Sequence, residues 1–264
     1  MGRLVRFLVG IVVVALAAGC GGDSDDEPSS GTTSPPGPAT TSAPGSDPRT
    51  PAQLAADRAQ AEKAVLQPAD FPSGWTGEPD TDETSPEEEA ARGRFAACLG
   101  VDRSFVGGGA RAGAIAKSDD FEDDSNRSAQ NTVTMVFSRE RARQQFEIFS
   151  RPEARGCFED FVDDAVEFSI RNPGPGETAP PGVNFGEAHV DILRPTGLNT
   201  DSTGYRARVP VTAEGDTLDV IFDIVLALKG RAGITMTFIG VGQPFPSALQ
   251  TSLTNKVIER APSS

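Results

Sequence analysis

The chain is predicted to be an α+β domain, an antiparallel sheet with helices packed mainly on one face and one helix–helix disulfide. Three observations predict it. The C-terminal third alternates apolar and polar residues at the period of strands, and the segments before it place apolar residues three and four apart, at the period of helices. Two cysteines, Cys98 and Cys157, each fall on the apolar side of one of those helical segments.

The first residues carry Arg3 and Arg6 ahead of an apolar run, Phe7 to Gly19, the layout of a secretory signal peptide. As a helix that run reaches about 20 Å, short of the roughly 30 Å of hydrocarbon that a permanent span must cross. The stretch Leu16-Ala17-Ala18-Gly19-Cys20 resembles the lipobox of bacterial lipoproteins, with Ala17 where the family prefers a larger aliphatic residue and Leu16 one place further back. The resemblance implies that residues 1–19 are removed and that Cys20 is lipidated, holding the protein to the extracytoplasmic face of the cell membrane. An ordinary signal peptide with an incidental cysteine is the alternative. Residues 20–50 then form a tether of Gly, Ser, Thr, Pro and Asp with nothing to build a core. At that composition the tether spans ~30 Å as a coil. Its Ser/Thr/Pro content also suits O-glycosylation.

Residues 51–264 suffice for a single extracytoplasmic domain with a real core. Of the formal charge of −14, two signal arginines and a net −4 in the tether leave −12 on this domain. Such acidity excludes nucleic acid as a partner and argues against binding anionic membranes by overall charge. Arginine far outnumbers lysine, the usage of a GC-rich genome.

Along the domain, Gln53 to Leu66 reads as a helix with an apolar stripe of Leu54, Ala61, Val65 and Leu66. A loop holding Phe71-Pro72-Ser73-Gly74-Trp75 follows, and Ser85 and Glu88 have the spacing of a capping box that opens a helix to about Leu99. After Gly107-Gly108-Gly109, Ala114 to Phe121 is extended. Asn131 to Phe137 is a half-buried strand with Val133, Met135 and Phe137 on one face and threonines on the other. Ser138 caps a helix, Arg139 to Phe149, and a second runs from about Glu153 to Asp163; together they turn Ala142, Phe146, Phe149, Cys157, Phe158 and Phe161 inward. Asn172 to Pro181 is a Pro/Gly loop. Ala188, Val190 and Ile192 alternate, as do Tyr205, Ala207, Val209 and Val211 against Arg206 and Arg208. Leu218 to Leu228 continues the sheet with Asp219 and Asp223 on its outer face. A turn over Lys229 to Gly233 leads into Ile234, Met236 and Phe238, and Ser247 with Gln250 caps a last helix to about Arg260.

With Cys20 committed to lipid, Cys98 and Cys157 are expected to pair, because exported chains meet an oxidising compartment. Closing a loop of about 60 residues restricts the unfolded chain by about 4 kcal/mol in the entropy model. Two separate buried thiols are the alternative.

The strand, short turn, strand and closing helix over Leu218 to Arg260, behind a lipoprotein tether, resembles the PknH-type extracellular sensor domains and the LpqN-type actinobacterial lipoproteins of PsbP-like fold. The likeness covers roughly the last 80 residues. It implies a binding or sensing module without catalysis.

Few residues carry chemistry. His189, the one histidine, sits on a strand face opposite Val190 and Ile192, where an exposed histidine needs no function; alone it excludes the usual zinc sets. The run Asp119, Asp120, Glu122, Asp123 and Asp124 is a weak calcium candidate lacking the EF-hand order, and a solvated loop or edge-protecting charge is the simpler reading. Glu87-Glu88-Glu89 suits a helix start. No phosphate loop follows Gly107 to Gly109, and no Gly-x-Ser-x-Gly is present. No catalytic residue and no cofactor are assigned. The expected function is a non-catalytic binding or sensing module for an envelope lipid, glycan or protein. A structural or accessory lipoprotein of an envelope complex would instead show an exposed apolar patch. A carboxylate-based hydrolase would need two carboxyls about 5 to 9.5 Å apart in a cleft.

Overall fold

The computed structural model describes residues 49–79, 86–103, 106, 114–171, 182–213 and 215–263. The segments expected to be signal peptide and tether, residues 1–48 with Cys20, lie outside them, as do Ser85, Gly107 to Gly109 and the expected loop from Asn172 to Pro181. The helices are α1 (Pro51–Ala64), α2 (Pro86–Cys98), α3 (Arg139–Phe149), α4 (Ala154–Arg171) and α5 (Ser247–Arg260). The strands are β1 (Trp75–Glu78), β2 (Ala114–Lys117), β3 (Asp120–Asp123), β4 (Ser128–Met135), β5 (Asn184–Phe185), β6 (His189–Leu193), β7 (Asp201–Ala213), β8 (Asp216–Lys229) and β9 (Ala232–Val241).

These strands pair antiparallel in one sheet, in the order β1-β3-β4-β9-β8-β7-β5. β2 shares the outer edge of β4 with β3, and β6 shares the outer edge of β7 with β5. The long hairpin of β8 and β9 is its centre, turning at Gly230, whose φ of 59° is easy only for a residue without a Cβ.

The α+β class, the antiparallel sheet and the helix–helix disulfide are as expected. Among the described residues the helices divide between the two faces, three against two, and the reason lies in β8. Its Val220, Phe222 and Ile224 point to one face, where they join Val190, Tyr205, Ala207, Val209 and Ile239 beneath α2 and α4. Its Val225 and Ala227 point to the other, where they join Ala129, Val133, Met135, Ile234, Met236 and Phe238 beneath α1 and α5. A strand apolar on both sides needs cover on both sides. On the first face α3 adds Ala142 and Phe146 against Val136 and Leu228.

Two helices begin at a side-chain cap. Thr50 and Gln53 form a reciprocal capping box with Pro51 in the first turn, so α1 starts two residues before the expected Gln53. Ser138 Oγ accepts from Arg141 N at 3.1 Å and opens α3 at the predicted residue.

Three expectations are corrected. Asp223 faces the interior, 0% exposed, because α5 covers the side of β8 read as solvent-facing. Ser247 is not the cap of α5: Pro246 precedes the helix without a side-chain bond, and Gln250 is buried and donates to Asp223 Oδ2 at 3.4 Å. Phe137 lies beyond the end of β4 and is 40% exposed, rather than buried with Val133 and Met135.

Candidate functional site

The face carrying α2, α3 and α4 is built in two chemically different halves. Over β6, β7 and β8 it is apolar and aromatic. Phe95 of α2 meets Phe158 and Phe161 of α4 at 4.9 and 5.0 Å between ring centroids, and Phe158 meets Tyr205 of β7 at 4.2 Å. The Tyr205 hydroxyl donates to the carbonyl of Phe149, and burial pushes its phenol up to about 12. Cys98 and Cys157 are bonded above this cluster with their Cα atoms 5.7 Å apart, joining α2 to α4. Cys157 is buried and Cys98 lies at the surface.

Over β4 and β9 the same face is polar. β4 turns Ser128, Gln130, Thr132 and Thr134 to it, and the partners of Gln130 and Thr132 on β9 are Thr237 and Thr235. Ser128, Gln130 and Thr237 are buried, while Thr132, Thr134 and Thr235 are half-buried. The registers of β2 and β3 place Lys117 beside Thr132 and Glu122 beside Ser128. Hydroxyls under cover need hydrogen bonds, and Ser128 Oγ has none among the described residues. The threonine alternation of Asn131 to Phe137 is the sequence signal of this strip, although by itself it reads only as a solvent face.

The acidic run does not close into one site. Asp120 to Asp123 form a strand, so the pleat sends Glu122 to the polar face while Phe121 enters the opposite core. Asp123 Oδ1 accepts from Ser125 N at 2.9 Å and Arg127 N at 3.2 Å, and its Oδ2 holds the Arg127 guanidinium. Asp119 takes the Ser118 hydroxyl on its carbonyl, and Asp124 is exposed. Among the described residues no group of three or more His, Cys, Asp and Glu could hold a metal ion. His189 is 60% exposed on the edge strand β6, 3.5 Å from Asp191 and 4.0 Å from Glu159.

The buried carboxylates face guanidiniums rather than each other. Asp57 of α1 receives Arg231 at 2.8 Å and Arg49 at 2.6 Å; the Arg231 hydrogen bond outweighs desolvation and, with Arg49, holds its carboxyl below the usual range. Burial raises Asp70, but Arg260 at 2.7 Å and the Gln67 amide more than reverse it, so it too is lowered. Asp223 pairs with Arg206 at 2.6 Å, and that hydrogen bond raises the Arg206 guanidinium further. The first two pairs tie distant parts of the chain together, and the third locks the β7–β8 hairpin, structural duties that the sequence pattern does not reveal.

No family model matches the chain, and no curated protein matches it. Among solved structures, the extracellular domain of PknH from Mycobacterium tuberculosis is similar at 11% identity and a TM-score of 0.33, over 77% of this chain and 95% of that one.

Proposed function

We propose that the chain is an extracytoplasmic lipoprotein, anchored to the cell membrane through Cys20, whose domain binds or senses an envelope ligand without chemistry of its own. The observation that carries the binding half is the strip of Ser128, Gln130, Thr132, Thr134, Thr235 and Thr237, set beside a disulfide-stapled pair of helices on the same face. Convergent neutral hydrogen-bonding groups next to an apolar wall suit a ligand with both hydroxyls and apolar surface, such as a glycolipid or glycan of the envelope. The location half rests on the signal-like residues 1–19, the lipobox-like stretch ending at Cys20 and a disulfide suited to an oxidising compartment.

The test is native mass spectrometry of residues 20–264 purified from an exporting host, beside the variant Thr132→Val/Thr235→Val. A retained lipid or glycan mass that the variant loses is the expected result. An apo mass from both proteins, with no ligand regained from envelope extracts, would sink the binding half. The anchor is tested separately, by metabolic incorporation of a fatty-acid label that disappears in Cys20→Ser.

A further inference from the structure

The place where the tether joins the domain is part of the fold. Arg49 is 29 residues beyond Cys20, and its Nη1 donates to Asp57 Oδ2 at 2.6 Å and to the carbonyl of Met135 at 2.7 Å. The chain therefore enters the domain beside the end of β4. Arg231 seals the same corner by donating to the Val136 carbonyl at 2.9 Å. Phe137 follows immediately, a large apolar side chain that is 40% exposed.

Next comes α3, which opens Arg139, Glu140, Arg141, Ala142, Arg143: three guanidiniums against one carboxylate in its first five residues. Arg139 and Arg143 are exposed; Arg139 also donates to the Ser263 carbonyl at 2.7 Å, and Arg143 meets Asp201 at 3.0 Å in the open. The start of a helix favours carboxylates and disfavours cations. Helix stability therefore does not account for arginines in the first turns of α3, in a domain whose net charge is −12.

We propose that this corner, Phe137 with the exposed Arg139 and Arg143, is the face that rests on the anionic lipid surface to which the chain is anchored. The inference builds on the reading of Cys20 as the anchor. An aromatic side chain flanked by arginines is what the headgroup layer accepts, rings at the interface and guanidiniums on phosphates. One ring and two exposed cations bind weakly in free solution. A tether of 29 residues holds the corner at high effective concentration over the membrane, which turns weak contact into steady contact. The acidic remainder of the domain is repelled by the same surface, and this orients the corner inward.

Trp75, the only tryptophan, lies in β1 opposite Asp123, at the far end of β4 and about 25 Å from Met135 at the usual rise per residue. It serves as a built-in control. Residues 20–264 are coupled through the Cys20 thiol to maleimide-headgroup vesicles containing phosphatidylglycerol with brominated acyl chains, which removes any dependence on native lipidation. The wild-type emission of Trp75 is expected to stay unquenched, whereas Phe137→Trp is expected to add a blue-shifted component quenched by about half. Arg139→Glu/Arg143→Glu, or zwitterionic vesicles, is expected to abolish that quenching. Amide exchange of residues 135–143 in the unmutated chain is expected to slow on coupling. An unquenched indole in the Phe137→Trp variant, together with unchanged exchange in the unmutated chain, would overturn the proposal while leaving the anchor standing. A Cys20 that takes up no fatty-acid label would overturn the anchor instead.

Discussion

Both faces of the sheet carry an apolar, aromatic core, but the links that fasten their helices differ. Beneath α1 and α5, the first and last helices, two ion pairs join residues far apart in sequence, Asp57 with Arg231 and Asp70 with Arg260, and a third, Asp223 with Arg206, crosses the β7–β8 hairpin. Beneath α2 and α4, which lie between them in the chain, the rings of Phe95, Phe158, Phe161 and Tyr205 pack together and one covalent bond fastens the helices. The difference teaches how a chain closes on itself. Ends that come together only once the sheet exists are matched by directional charge pairs. Helices inserted across a sheet edge are fixed by area and by a bond that persists when packing loosens.

The largest expected effect comes from removing that bond. Cys98→Ser/Cys157→Ser should cost about 4 kcal/mol for a loop of this length, read from the urea midpoint. Amide protection should fall first in α2 and α4 while α1 and α5 keep theirs; equal loss on both faces would erase the contrast. Next is Asp57→Ala, which strands two guanidiniums and should cost about 3 kcal/mol, with exchange rising in α1 and at the Lys229 to Ala232 turn.

Acid should separate the faces without mutation. Asp57 and Asp70 titrate lower in the folded chain than when unfolded, so their stabilisation is complete above the unfolded carboxylate range and is lost as pH falls through their depressed values. Below about pH 4 the α1 and α5 face should loosen before the disulfide-linked face, followed by exchange at a series of pH values. If α2 and α4 open first, the assignment of charge to one face and covalent closure to the other is wrong. The smallest effect is that of the α3 cap: Ser138→Ala should cost about 1 kcal/mol in a urea melt, with α3 fraying and both faces otherwise intact.

Much of this fold is legible in the residues themselves. Elements with a local signature can be placed within a residue or two, as Ser138 and α3 show, and the helical spacing of Ala91, Phe95, Ala154 and Phe161 puts Cys98 and Cys157 on faces that meet. The failure at Asp223 has one cause, cover supplied by neighbouring elements, whereas Phe137 lies past the end of its strand and Pro246 displaces Ser247 as the start of α5. The segment from Val220 to Leu228 reads as one-sided because Asp219 and Asp223 alternate in it. Asp223 is nonetheless buried, because Arg206 from β7 neutralises it and Gln250 from α5 caps it. The near-continuous apolar run Val220-Ile221-Phe222 and Ile224-Val225-Leu226 already carries the signal of a strand covered on both faces. The polar strip is half-legible, for the sequence displays the threonines but not the helices packed on their side. The Arg49 clamp has no local signature at all.

The ribbon of β7 and β8 has a further consequence. Its strands are 13 and 14 residues long, so β8 extends about 45 Å from Asp216 to Lys229. Lys229 sits at the corner where Arg231 and Arg49 share Asp57, and Asp216 marks the opposite, exposed end. Bonded on both edges and covered on both faces, most of this ribbon moves only with the whole domain, and its Asp216 end lies a full strand length from the Arg49 corner. Tilting the domain as a rigid body by about 10° about that corner would carry the Asp216 end sideways by about 8 Å on a strand of that length.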